Sequence, residues 1–352
     1  MNLKNIYLKI FSQLKKKGLV FLLEKYSKKN NLLVCDLFAG AGGLSLGFEA
    51  NGFETVAFEY KDYASNTYNK NLNGKCHTQK LDSQTIYPKC DVLIGGPPCQ
   101  PFSVSGNQNG KSDKRDGFPI FLNALKKTKP KVFLIENVRG TLFKNKNYLN
   151  YIIRELKNHG YNINIKILNA NNFGVAQLRE RLFILGSKNE IPIPLKITNS
   201  SINSGTAIKD IINKHKTSHK FLTSNMDKYI LRYEKKSKCI NPRDLNLDKP
   251  ARTLTCRNLG GQTSDMMRIK TGNKRRMLTV KEASRLQSFP DFFNFTGTDY
   301  QKMEQIGNAV PPLVAFMFAD IIKNYILKTK MYFESSYEFS NQTELDLFKK
   351  VI

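Results

Sequence analysis

From residue 32 onward, short apolar runs alternate with stretches of helical spacing. The runs are LLVCDL (32–37), ETVAFEY (54–60), DVLIGG (91–96), KVFLIENV (131–138), INIKILNA (163–170) and RLFILGS (181–187). Continuous apolar runs rich in Val, Ile and Leu, closed by Gly, Pro or Asn, predict strands buried on both faces. A further strand is expected before Asp82. Strands separated by helices predict an α/β fold, a mostly parallel Rossmann-like sheet with helices on both faces, and ligands then gather at the carboxyl ends of the strands. From about residue 190 the periodicity fades into polar, basic, loop-rich sequence, and a clear helix returns at Pro311–Leu327. This pattern predicts a catalytic and cofactor-binding domain over 31–190, a smaller loop-rich inserted domain over 191–277, and a hinge and return to the first domain over 278–330. Residues 1–30 carry eight Lys and one Glu around apolar positions at roughly helical spacing, predicting a basic amphipathic helix or two. The polar residues 331–352 are expected to form a loosely held tail.

Charge changes the picture. The 352 residues hold 56 Lys and Arg against 29 Asp and Glu, a formal net charge of +27. Such a field favours a polyanionic partner, most often nucleic acid. An AT-rich genome, which accumulates Lys and Asn without function, produces the same excess, and the two causes can act together. The six cysteines (35, 76, 90, 99, 239 and 256) form no CxxC pair and no Cys/His spacing. That argues against a zinc site or a disulfide framework, so no metal is expected and a reducing cytoplasm is the natural home. The apolar run Gly18 to Leu23 is far too short to span a bilayer, and neither a signal peptide nor a membrane span is read.

The candidate chemistry begins with Asp36-Leu-Phe-Ala-Gly40-Ala-Gly42-Gly43, which leaves the first strand and enters a helix ending near Gly52. Glycines permit a sharp turn and close approach to a ligand, and they expose helix N-terminal N–H groups. Glu59 closes the next strand, where a carboxylate can accept from both ribose hydroxyls, and Asp82 follows the third strand as a candidate for an adenine amino group. The spacing is not GxGxxG, which disfavours a dinucleotide and hence a nicotinamide dehydrogenase. After the fourth strand comes Gly95-Gly-Pro-Pro-Cys99-Gln-Pro-Phe-Ser103, where two prolines stiffen the loop that presents a thiol.

In the order DLFAGAGG, GGPPCQPFS, ENV, QLRER and GNAVPP, these segments resemble the motif series of the DNA (cytosine-5)-methyltransferases, over about residues 32 to 328. The resemblance implies S-adenosylmethionine as cofactor, held by Phe38, Ala39, Gly40, Gly42, Gly43, Leu44, Glu59, Tyr60, Asp82, Pro97, Asn308 and Val310. It implies Cys99 as the nucleophile. Carbon 5 of cytosine is a poor nucleophile, so a thiolate must first add at carbon 6, and that addition needs a proton or strong hydrogen bond at ring N3. Glu136 is similar to the family's residue for this role, and enclosure by apolar neighbours is expected to favour its acid form. Asn137 is expected to support the cysteine loop. Arg179 and Arg181 match an arginine pair implied to contact the cytosine O2 and steady that loop.

The polar stretch after the cysteine looks like the family's mobile loop over flipped DNA, with Ser103, Ser105, Gln108 and Arg115 as contacts. Arg115-Asp-Gly117 departs from the family's usual glycine placement. A cytosine inside a duplex cannot reach the thiol, so base flipping is implied. In 191–277, Arg243, Arg257 and Gln262 are candidate DNA contacts because Arg pairs well with guanine edges, although Lys and Arg contact phosphates at least as readily. Arg252 belongs to a segment that resembles a structural element of this region. The expected enzyme is a monomeric, cytoplasmic, DNA-associated bacterial protein acting on double-stranded DNA. Whether a cognate restriction endonuclease acts on the same site stays open at this point. An RNA cytosine methyltransferase and a catalytically inactive DNA-binding regulator are the rival readings.

Overall fold

The computed structural model describes residues 30–98, 116–140, 146–197, 201–214, 219–236, 243–260, 265–272, 274–329 and 337–339. The basic helices expected within 1–30 therefore lie outside the described residues, Asn30 aside, as do Cys99, Ser103, Ser105, Gln108, Arg115 and Gln262. The chain runs β1 (Leu33–Leu37), α1 (Gly43–Glu49), β2 (Glu54–Glu59), α2 (Asp62–Asn71), β3 (Lys75–Thr78), β4 (Val92–Gly95), α3 (Phe118–Thr128), β5 (Val132–Val138), α4 (Lys146–Asn158), β6 (Asn162–Asn169), β7 (Gln177–Leu178) and β8 (Glu180–Ser187). It continues with β9 (Pro194–Ile197), α5 (Ser204–Ile208), α6 (Ser224–Lys236), β10 (Ala251–Arg252), α7 (Cys256–Gly260), β11 (Arg268–Thr271) and β12 (Lys274–Met277). The last elements are α8 (Val280–Leu286), α9 (Asp299–Asn308), α10 (Pro312–Leu327) and β13 (Tyr337–Phe339).

Seven strands form one sheet in the order β3-β2-β1-β4-β5-β8-β6. The first five pair in parallel, whereas β8 runs antiparallel to both β5 and β6. The six apolar runs of the sequence are six of these strands, and the strand expected before Asp82 is β3.

Alternation along each strand shows why both faces must be covered. In β5, Val132 and Leu134 join an apolar layer with α1 and α10, while Phe133 and Ile135 join the opposite layer with α3 and α4. The α1–α10 contact is close: a Cβ on Gly47 would lie 2.4 Å from the Phe316 nitrogen, so only glycine admits the second helix. Asn51 Nδ2 seals the end of that contact, donating to Phe316 O at 3.1 Å.

The first apolar layer continues from α1 and α10 through Ile208, Ile211, Leu254, Leu259 and Met267. The loop-rich middle of the chain therefore shares a core with the sheet. Of the expected tail 331–352, Tyr337–Phe339 forms a strand antiparallel to β9, and the rest lies outside the described residues. Among the described residues no single helix is long and apolar enough to cross a membrane.

Candidate active site and cofactor cavity

The turn after β1 is shaped by backbone conformations that most side chains avoid. Phe38 has φ 59°, an uncommon value for a residue with a bulky side chain. Ala39 N–H bonds Phe58 O at 3.1 Å, tying the turn to β2. Gly42 caps α1 at φ 89°, and Gly43 passes so close to the chain after α9 that a Cβ would stand 2.3 Å from Val310 O. The glycines thus bring residues 310 and 43 together across the molecule.

Around this turn lies a cavity of about 620 Å³, lined by Phe38, Ala39, Gly40, Gly43, Leu44, Glu59, Tyr60, Pro97, Glu136, Asn308 and Val310, among others. This volume suits a small-molecule ligand, for which pockets run roughly 300–1,000 Å³. Glu59 is held with one oxygen on each of two backbone donors, Gly40 N–H at 2.8 Å and Lys61 N–H at 2.9 Å. A carboxylate has about four acceptor positions, so both oxygens keep capacity for a diol. The residues present therefore fit a nucleoside-bearing cofactor.

Asp82 sits differently from its sequence reading: it is exposed, its Oδ1 accepts from Gln84 N–H and Thr85 Oγ, and its neighbour Leu81 lines the cavity in its place. Gly42 caps the helix without lining the cavity.

Asp36 is a cavity residue to which the sequence assigned no role. It is fully buried; Oδ2 accepts from Ser45 Oγ at 2.7 Å, and Oδ1 has no hydrogen-bond partner among the described residues. Burial raises its pKa to about 7 against the opposing Ser45 bond, with the Glu59 charge adding to the rise. At the rim, Glu304 of α9 accepts from Lys61 Nζ at 2.5 Å and from Tyr63 Oη at 2.7 Å. These groups are 243 and 241 residues apart in sequence, and no local signal pairs them.

At the reaction end of the cavity β5 supplies Glu136, Asn137 and Val138, and β8 pairs beside it without lining the cavity. Glu136 is nearly buried, and Arg181 Nε lies 3.1 Å from its Oε1. The contact is out of line for a hydrogen bond, and Oε1 has none. The expected apolar enclosure is thus incomplete, because a guanidinium occupies one side. Asn137 Nδ2 donates to Pro97 O at 3.1 Å and supports the start of the cysteine loop, as its sequence position suggested. Gly117 N–H bonds Pro98 O at 3.0 Å, which holds the described residues on the two sides of 99–115 together. Asp116, in the segment that departs from the family's usual glycine placement, is buried and accepts from Phe118 N–H and Tyr148 Oη.

The two arginines part company. Neither lines the cavity. Arg179 is buried and donates to Leu254 O at 2.7 Å and Gly307 O at 3.1 Å, pinning the middle of the chain to the end of α9. Burial, helped by the neighbouring Arg181 charge, lowers its pKa to about 9. Gln177 of the same motif bonds Leu254 N and Leu286 O. The motif is therefore chiefly a junction, and of its two arginines Arg181 is the one that meets Glu136.

Of the candidate DNA contacts, Arg243 Nε lies 3.5 Å from Asp265, and Arg252 donates to the Asp265 carboxylate and carbonyl, which supports the structural reading of Arg252. Arg257 is exposed on α7. Among the described residues no group of His, Cys, Asp and Glu could hold a metal ion.

The family model described as C-5 cytosine-specific DNA methylase matches residues 32–324. Type II methyltransferase M.AplI of Arthrospira platensis is 49% identical over 298 residues, covering 84% of this chain and 86% of that protein. Type II methyltransferase M.FnuDI of Fusobacterium nucleatum is 35% identical, covering 82% and 93%. The solved structure of Entamoeba histolytica methyltransferase EhMeth superimposes with a TM-score of 0.65 at 20% identity, covering 85% of this chain and 99% of that one. Sheet order, the reversed strand and the cavity at the carboxyl ends define a Rossmann-like methyltransferase. The chain belongs to the C-5 cytosine-specific DNA methylase family and is a DNA (cytosine-5-)-methyltransferase.

Proposed function

We propose that this enzyme methylates cytosine at a defined site in duplex DNA, through base flipping and a covalent bond from Cys99 to carbon 6, as the modification partner in a type II restriction-modification system. The observation that carries the reading is the buried, hydrogen-bond-free Oε1 of Glu136 in a cavity that also contains the Glu59 carboxylate. One cavity thus offers an acceptor for a ribose diol and a carboxyl for a nucleobase. S-adenosylmethionine, when bound, supplies an electrophilic methyl sulfonium. Phe38, Gly40, Gly43, Leu44, Tyr60, Asn308 and Val310 are the walls against which it would lie, with Glu59 on its ribose.

On the substrate side, Cys99 adds to carbon 6 as a thiolate, and Glu136 holds or delivers the proton at N3 that lets the ring accept the electron pair. Arg181 is proposed to touch the cytosine O2 while orienting Glu136, and Arg179 steadies this end of the site from behind. After transfer, a base takes the carbon 5 proton, its electron pair re-forms the C5–C6 double bond, the Cys99 thiolate is expelled from carbon 6 and the N3 proton returns to Glu136. The division into a catalytic unit (31–190 with 278–330) and a target-reading unit (191–277) belongs to the same proposal, as do Arg257 and Arg243 as DNA contacts. The M.AplI and M.FnuDI names support the restriction-modification context.

The decisive experiment uses duplex DNA carrying 5-fluorocytosine at a target site mapped beforehand by bisulfite sequencing. Fluorine blocks removal of the carbon 5 substituent, so wild-type enzyme with S-adenosylmethionine should form a denaturant-resistant adduct that maps to Cys99. Cys99→Ser should bind the duplex and form none. An adduct on the Ser variant, or none on active wild type, overturns the assignment.

A further inference from the structure

Helix α6 projects from the middle of the chain with a charge distribution that its own stability does not explain. Ile230 is buried, and Met226, Asp227 and Glu234 are half-buried on the same side. Both acids are spent inward: Asp227 meets Arg275 at 3.2 Å and Glu234 meets Arg268 at 2.9 Å, while Asp244 binds Arg268 at 2.9 Å and Arg275 at 2.8 Å. Arg268 is 1% exposed, so this network clamps α6 onto the β11–β12 hairpin from within.

The opposite side carries Lys228, Arg232, Lys235 and Lys236, all exposed and none in an ion pair among the described residues. At 100° per residue these four fall on one stripe about 12 Å long. Tyr229, 54% exposed, borders it. Lys235 and Lys236 complement the negative end of the helix dipole, but Lys228 and Arg232 lie too early in the helix to gain from it. A Lys-rich composition scatters cations over every face. Here the acids face in and the bases face out.

We infer that the outer face of α6 is a DNA-binding surface separate from the cavity, laid along the phosphate backbone of the duplex beside the target site. Charge complementarity selects this occupant: a stripe of cations fits a polyanion that presents one charge about every 1.7 Å of axis, and an exposed tyrosine at its border suits sugar-phosphate contact. This surface presupposes the reading above that the enzyme acts on duplex DNA. Its role is affinity and register, since phosphates carry no sequence information.

The test is the full-length enzyme with Lys228→Ala, Arg232→Ala, Lys235→Ala and Lys236→Ala combined, titrated with a labelled duplex between about 50 and 200 mM salt. Every phosphate that the variant no longer neutralises makes the slope of log K against log salt shallower by about 0.9, so a change of roughly 2 to 4 is expected. Affinity at the upper salt should fall at least tenfold, while the single-turnover rate at saturating DNA and the base methylated stay as in wild type. Equal slope and affinity in the variant overturn the inference. If the quadruple variant melts early, Lys228→Gln with Arg232→Gln gives the same readout at half the size, and an unchanged slope there has the same meaning. Lys228→Arg, Lys235→Arg and Lys236→Arg combined should retain the wild-type slope. A wild-type enzyme that neither binds nor methylates duplex DNA would sink the functional reading itself, an outcome distinct from a fully active wild type whose variants are unaltered.

Discussion

Arg181 Nε stands 3.1 Å from Glu136 Oε1, reaching diagonally from β8 to β5, where Val138 rather than Glu136 is its direct cross-strand partner. The register places a cation beside the carboxyl proposed to serve N3. Glu136→Gln keeps the shape and a hydrogen-bonding end but cannot deliver a proton. Its single-turnover methyl transfer should slow by about 100-fold or more, with duplex binding retained. An unaltered rate would assign the N3 proton to another group.

The neighbouring arginines should separate by assay. Arg179→Ala removes two charge-assisted bonds to buried carbonyls, each worth about 1.5–3 kcal/mol, and should lower stability toward urea by about 3–6 kcal/mol. Arg181→Ala should leave the urea midpoint near wild type and depress methyl transfer instead. Denaturation and single-turnover rates measured on both variants check this, and the reverse pattern would show that the roles are exchanged.

Gly43→Ala tests the junction between the two ends of the chain. Its methyl group would meet Val310 O at 2.3 Å, a backbone atom that cannot rotate away. The strain should cost about 1–3 kcal/mol and displace the cavity wall at Val310. Calorimetric titration with S-adenosylmethionine should show at least tenfold weaker binding together with a lower melting temperature. Wild-type affinity would mean that residue 310 does not form the wall.

Asp36 makes a pH signature in the cofactor-free protein. Its folded pKa of about 7 lies above the ordinary value of 3.8, so between these values the folded state holds a proton that the unfolded state has lost. The stability this contributes is full below about pH 4 and disappears as pH rises through 7, falling by about 1.4 kcal/mol for each pH unit crossed between the two values. Asp36→Asn carries no such titration, so its urea midpoint should fall less than that of wild type between pH 5 and pH 8 (about three pH units). Parallel midpoints for the two proteins would count against a protonated Asp36.

Much of this architecture can be read directly from the chain. KVFLIENV is a buried strand in any α/β context because its residues are apolar on both faces, and Val132/Leu134 and Phe133/Ile135 do enter opposite layers. The position of Glu136 at the end of that run was equally legible. Less legible was the direction of RLFILGS, since an apolar run has the same periodicity whichever way it pairs.

The sequence by itself determined the strand runs, the glycine turn, the order of the motifs and the residue types offered for chemistry. All of these are local, set by side-chain alternation and backbone freedom within a few residues. The tertiary structure alone decided which partner each polar group meets. Arg179 and Arg181 are two residues apart, yet one reaches Leu254 and Gly307, 75 and 128 positions away, and the other meets Glu136. Asp36 is fully buried because α1 and the sheet close over it, and Glu304 meets Lys61 and Tyr63 because α9 returns to the rim. Such contacts follow from how whole elements pack, and a buried polar group must take its partner from whatever that packing brings within reach.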